Sequence, residues 1–252
     1  MKENIEQVIN WLKLKKFKGC ITGSCLLGVF EEEGSIQDVD FFAYDKESFT
    51  QAFYAMYYDD MFQILDPLEK WKADKFMSST SKAAFGITTI KFMYNTFIPV
   101  NIILKNNCYN GFSVIASFDM DIVAKCYDTY IEQELDLTYG STETKIVSFN
   151  KWNSSFYNSE LWQISRILRQ INRCFKYHKR GYNTDAVILK YIDLIDEIQK
   201  HQDIFSSETY SEKLKIRKKN TKIVKKICEI WLETHEITDK QMELINEKIK
   251  EI

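Results

Sequence analysis

Two prolines and eight glycines in 252 residues leave this chain short of turn residues. That excludes a turn-dense all-β sandwich and predicts plentiful helix. Histidine is scarce as well, and His178, His201 and His235 lie far apart. The six cysteines (Cys20, Cys25, Cys108, Cys126, Cys174, Cys228) include no CxxC pair, so no zinc-ligand spacing can be assembled. Single cysteines inside apolar runs read as small buried hydrophobes. An excess of one charge is also missing: 34 basic residues against 36 acidic give a net charge of −2, which excludes whole-chain polycation behaviour. No apolar run approaches the ~20 residues of a membrane span. The opening MKENIEQVINWLKLKKFKGC is too charged for a secretory signal. A soluble cytoplasmic protein without a membrane partner is expected.

What the chain does have is apolar bulk, 45% hydrophobic and 14% aromatic. At this length ~70% of the unfolded surface can be buried, so neither disulfides nor a structural metal is needed. Disorder is excluded by the same composition, and length sets a prior between one and two domains.

Ile5, Val8, Ile9 and Leu12 recur at helical spacing. KGCIT (18–22) reads as a short strand stopped by Gly23-Ser24. Leu26 to Phe30 suggests a short buried helix before an acidic loop, and DVDFFA (38–43) a second strand. Asp45 can cap a helix to about residue 58. Asp66-Pro67-Leu68-Glu69 combines a cap, a first-turn proline and a capping-box glutamate, predicting a helix to about residue 77. Residues 86–94 and 98–104 are β-branched runs that form a hairpin through Asn95-Thr96-Phe97. The stretch 109–127 reads as a short helix into Phe118 and a strand from about Asp119.

Near residue 150 the period changes. Ser159 caps a run with Leu161, Ile164, Ile167, Leu168, Ile171 and Phe175 on one face, ended by Gly181. Further helices start at Asn183 or Thr184, at about 209, and at the capping box Thr238-x-x-Gln241. The predicted fold is α+β: a mixed β-sheet with flanking helices over 1–148, then an all-helical half over 149–252.

The chemistry sits in Gly23-Ser24, thirteen residues, then Asp38-Val39-Asp40. On a strand, residues i and i+2 share a face, so two carboxylates stand side by side. They repel unless something positive lies between them. Hard divalent cations take oxygen ligands of this kind together with substrate phosphates. A glycine allows close backbone approach, and a serine hydroxyl at a helix start suits an anion. A surface loop followed by a strand with exposed acids is the plain alternative, though DVDFFA is apolar enough to be anchored in a core.

The order strand, Thr22-Gly23-Ser24, helix, strand with Asp38-Val39-Asp40-Phe41-Phe42 resembles the polymerase-β-like nucleotidyltransferase superfamily, at the long end of its spacing. Gln37 stands where that motif often has a small residue. The resemblance implies an N-terminal nucleotidyltransferase-like sheet in which Asp38 and Asp40 hold two metals, Mg²⁺ or Mn²⁺, that clamp the attacking and leaving oxygens. It also implies a third carboxylate on a later strand. Two places compete: Ile98-Pro99-Val100-Asn101-Ile102-Ile103 has the flanking pattern but offers an amide, and Ser117-Phe118-Asp119-Met120-Asp121-Ile122 offers acids. Asp119 is the favoured third catalytic and metal-binding acid, with Asp121 behind it; a helix N-cap is the alternative for that pair. FDMDIVAKCYD and the KYHKRGY segment at 176–182 are similar to viral and phage members, for which the host cytoplasm would be the location.

A basic face follows. Arg166, Arg169, Arg173 and Lys176 are spaced at i+3 or i+4 and lead to Arg180. By the resemblance, Lys176 and Arg180 join Gly23 and Ser24 in holding the triphosphate of ATP or another NTP; a solvated helix face is the alternative. KLKIRKKNTKIVKK (213–226) carries eight basic residues and no acid, which suits a polyanion such as RNA or, again, plain solvation.

Two functions are therefore expected to compete. The first is metal-dependent transfer of a nucleoside monophosphate from an NTP to an RNA, protein or small-molecule acceptor, releasing pyrophosphate. The second is an inactive module of the same fold that binds a nucleotide, RNA or protein, for which Asn101 is the best support.

Overall fold

The computed structural model describes residues 2–27, 38–65, 87–150, 160–204, 212–236 and 238–250. The second half of the Leu26–Phe30 segment, the acidic loop, the Asp66-Pro67 helix and the Ser159 cap lie outside them. The chain divides into two compact units, Met1–Gly140 and Ser141–Ile252. The boundary expected from the sequence, 148/149, falls eight residues later.

The first unit is a mixed seven-stranded sheet with helices. Its elements are α1 (Lys2–Lys15), β1 (Gly19–Thr22), a 3₁₀ turn at Ser24–Leu26, β2 (Val39–Ala43), α2 (Lys46–Tyr57) and β3 (Phe62–Ile64). There follow β4 (Ile87–Tyr94), β5 (Ile98–Lys105), α3 (Gly111–Ala116), a 3₁₀ turn at Asp121–Val123, β6 (Lys125–Asp128) and β7 (Gln133–Asp136). The strand order is β3-β4-β5-β2-β1-β6-β7. Only β2 and β5 run parallel; the other neighbours are antiparallel.

Period-2 alternation decides what each face buries. One face carries Ile21, Val39, Phe41, Ala43, Ile90, Phe92, Val100 and Ile102. These pack with Ile5, Val8 and Leu12 of α1 and Phe49, Ala52, Phe53 and Met56 of α2. The Val, Leu, Ile, Phe and Met side chains among these each contribute ~1.5–3 kcal/mol when fully buried. α2 starts where expected, because the Asp45 carboxylate accepts the Ser48 N–H at 2.8 Å. The opposite face is apolar only in part: Cys20, Phe42, Tyr44, Ile103 and Cys126 pack with Val114 and Ile115 of α3. Farther along that face, polar residues take over.

The expected strand from Asp119 starts later. Asp121–Val123 closes as a 3₁₀ turn, with the Ala124 N–H on the Asp121 carbonyl at 2.8 Å, and pairing begins only at Lys125.

The second unit is helical: α4 (Ser141–Thr144), α5 (Glu160–Lys179), α6 (Asp185–Ile204), α7 (Glu212–Thr234) and α8 (Asp239–Lys250). α5 ends as expected at Gly181, whose φ is +83°. The Gly181 N–H reaches the His178 carbonyl at 2.8 Å and the Tyr182 N–H reaches that of Tyr177 at 3.1 Å. The Tyr177 and Tyr182 rings meet edge-on at 6.3 Å, completing a Schellman cap with its apolar contact. α8 opens with the reciprocal box, Gln241 N–H to Thr238 Oγ1 at 3.3 Å and Thr238 N–H to Gln241 Oε1 at 2.8 Å. No helix among the described residues is long and apolar enough to cross a membrane.

Candidate active site

Strand register builds the site. Thr22 on β1 pairs with Asp40 on β2, Asp40 with Asn101 on β5, and Asn101 with Lys91 on β4. Paired residues share a face, so Thr22, Asp40, Asn101 and Lys91 form one row across four strands. Asp38, two residues before Asp40, belongs to the same face.

The two halves of the motif meet in space. Gly23 leaves β1 with φ +92° and ψ −164°, a region essentially reserved for glycine. A Cβ built there would lie 3.1 Å from Asp40 Oδ2. The turn backbone thus passes directly beside the second aspartate, and Ser24 is buried at the start of the 3₁₀ turn. Thr22 is fully buried, and its hydroxyl donates to the Lys125 carbonyl at 2.6 Å, tying the end of β1 to the start of β6.

Asn101 joins the acids. Its amide nitrogen donates to Asp38 Oδ2 at 2.9 Å and to Asp40 Oδ1 at 2.8 Å. Both amide hydrogens are thereby used on two carboxylates that would otherwise face one another. Asn101 is only 8% exposed, and its Oδ1 is buried with no hydrogen-bond partner. Cys25, read from the sequence as core, lies against the acids. Burial first, and then the charges of Asp40 and Asp38, push its thiol up to about 12. The thiol donates to the Thr22 carbonyl at 3.4 Å.

Gly23, Asp38 and Asp40 are therefore brought together, with Ser24 on the adjoining turn. Asp119 and Asp121 are both buried, on the segment that enters β6 at the Thr22 end of the sheet. Among the described residues, no three His, Cys, Asp or Glu side chains gather as a metal-holding group. The place in the row beside Asp40 belongs to Asn101. Its one sequence signal was a lone polar residue in the apolar run IPVNIIL.

In the second unit the two expected phosphate cations differ. Lys176 is exposed, whereas Arg180 is buried with its guanidinium 5.5 Å from the Tyr177 ring centre. On the basic run, Lys219, Lys222 and Lys226 are exposed. Lys225 instead reaches Asp196 at 2.5 Å and Glu229 at 3.7 Å. These bonds, the Asp196 hydrogen bond foremost, raise its pKa.

No protein-family model, curated protein or solved structure matches this chain.

Proposed function

We propose that the N-terminal unit is a metal-dependent nucleotidyltransferase of the polymerase-β-like kind, moving a nucleoside monophosphate from an NTP to a hydroxyl or phosphate acceptor. The supporting observation is the junction of Gly23 with Asp40, which sets a glycine-lined turn against a pair of carboxylates on one strand face. The residues suit Mg²⁺ or Mn²⁺ on two counts: paired carboxylates converge on one amide, and that amide carries a buried oxygen without a partner. Asp38 and Asp40 would hold the ion, which when bound polarises the phosphate and neutralises charge at the leaving pyrophosphate.

The chain's own groups have separable tasks in this reading. The Gly23-Ser24 turn admits phosphate oxygens close to the backbone, and Lys91, exposed in the same row, adds positive charge on that face. Asp119, buried on the segment entering β6, would complete the metal on the acceptor side and help take the acceptor proton. The exposed lysines of α7 by themselves suit a polyanion such as RNA.

A second reading rests on Asn101. An amide in the third position cannot act as a base, which favours a module that binds a nucleotide without turning it over. Calorimetric titration of each NTP with Mg²⁺, followed by assay of the pyrophosphate released once total cell extract supplies the acceptor, separates the two. Binding with release supports transfer; binding without release supports the module; absence of both refutes each.

A further inference from the structure

We propose that the helical unit binds Zn²⁺ between the imidazoles of His178 and His235, with Asp185 orienting the second ring. The inference is independent of the nucleotidyltransferase reading.

The fold assembles what sequence spacing does not. His178 lies in the last turn of α5, Asp185 opens α6, and His235 follows the end of α7. The two imidazole centres stand 6.0 Å apart, with their planes tilted by 35°. Buried Trp231 forms one wall, 5.0 Å from the His178 ring and 5.2 Å from that of His235. Two imidazoles sharing one ion, each through a nitrogen at ~2.0–2.1 Å, have ring centres roughly 5–6.5 Å apart. The observed spacing falls in that range.

The nitrogens are prepared for such an ion. Nε2 of His235 faces Asp185 Oδ2 at 3.1 Å. A carboxylate only accepts, so Nε2 carries the proton and Nδ1 keeps its lone pair. That carboxylate–histidine pairing fixes the tautomer and orientation of metal-bound imidazoles. On His178, Nδ1 is buried and has no hydrogen-bond partner. A buried polar atom left in this way calls for a ligand, and an ion supplies one. The other Asp185 oxygen is also buried without a partner, and positive charge gathered at the His235 ring would offset its charge.

The donor set selects the ion. Imidazole suits zinc, copper and nickel, whereas Mg²⁺ takes oxygen. Asp185 is assigned to His235 and not to the metal, since among the described residues no three His, Cys, Asp or Glu side chains gather as a metal-holding group. Two protein ligands leave positions for water, and the His235 side chain is 48% exposed, so the ion can exchange with solvent. Once bound, it would tie the end of α5 to the end of α7.

The test titrates Zn²⁺ calorimetrically into the full chain, with Mg²⁺ in excess to occupy oxygen sites, for wild type, His178→Gln, His235→Gln and Asp185→Asn. One Zn²⁺ per wild-type chain is expected. Asp185→Asn should weaken it on the order of 10–100-fold, and either glutamine variant by more. With Cu²⁺ as the probe, electron paramagnetic resonance should show two coordinated imidazoles in the wild type and one in each glutamine variant, a change that loosened packing alone does not produce. No Zn²⁺ bound by the wild type, or wild-type affinity in His235→Gln, would overturn the proposal. So would a Cu²⁺ signal of two imidazoles that persists in His235→Gln. Because His235 is half exposed, its variant decides the matter even if His178→Gln fails to fold.

Discussion

Substituting alanine at two glycines separates a site constraint from a simple turn constraint. Gly23 and Gly181 both have positive φ, +92° and +83°. A Cβ on Gly181 meets nothing within 4 Å, so Gly181→Ala carries only the left-handed backbone cost, roughly 1–2 kcal/mol. A Cβ on Gly23 adds a second term. Its φ/ψ combination costs ~1–3 kcal/mol for any other residue, and Asp40 Oδ2 at 3.1 Å must retreat by a few tenths of an ångström. Crowding of this sort typically adds at least ~1 kcal/mol. The expected total for Gly23→Ala is roughly 2–4 kcal/mol. The two glycines lie in different units, so segment-resolved hydrogen exchange in urea is the assay. Loss of protection should be confined to 2–140 in Gly23→Ala and to the helices after 141 in Gly181→Ala. Divalent-ion affinity should fall only in Gly23→Ala, because only there does Asp40 move. A Gly23→Ala cost no larger than that of Gly181→Ala, or unchanged ion affinity, would refute the claim that the turn and the acid touch.

Other substitutions probe the surroundings. Tyr44→Phe removes the hydroxyl that donates to buried Asp128 at 2.6 Å and should cost ~1–3 kcal/mol in urea denaturation; the backbone N–H groups of Tyr130 and Ile131 still hold the other oxygen. Replacing exposed Lys219, Lys222 and Lys226 with glutamine should leave thermal stability nearly unchanged and reduce the salt dependence of any RNA binding. Lys225→Gln should instead lower stability, by up to ~1 kcal/mol, because it breaks an ion pair. Burial raises the Cys25 and Cys228 thiols to about 12 from 9.0. The unfolded chain therefore loses protons first as pH rises. Stability should be whole below pH 9 and decline toward pH 12, by up to ~1.4 kcal/mol per pH unit for each thiol. A flat denaturation midpoint between pH 9 and 11 would contradict that.

Local signals were legible in the sequence and long-range ones were not. Asp45, Thr238 and Gly181 each announce a helix end through bonds to residues within four positions, so a short window contains the cause. Asp38 and Asp40 were legible because strand alternation alone puts them on one face. β3 (FQI) and β7 (QELD) were not, because both are edge strands created by their single neighbours β4 and β6. The strand expected from Asp119 misled for a related reason: apolar MDIV turns as 3₁₀, while polar KCYD pairs with β1. Asn101 bonds to acids 61 and 63 positions away, a relation set by parallel pairing of β5 with β2. Lys176 and Arg180 look equivalent by spacing, yet Arg180 lies at the turn that closes α5 and is buried beside Tyr177, whereas Lys176 is exposed.

The most direct test of nucleotidyl transfer uses NTPs labelled at the α- or the γ-phosphate, incubated with the protein, Mg²⁺ and total cell extract. The expected result is α-label on a macromolecule or small acceptor, γ-label recovered only in pyrophosphate, and loss of both in Asp40→Asn, whose substituted side chain keeps the shape and removes the charge. Label transfer from the γ-position, or α-label transfer undiminished in the Asp38→Asn, Asp40→Asn double variant, would contradict the assignment of this site.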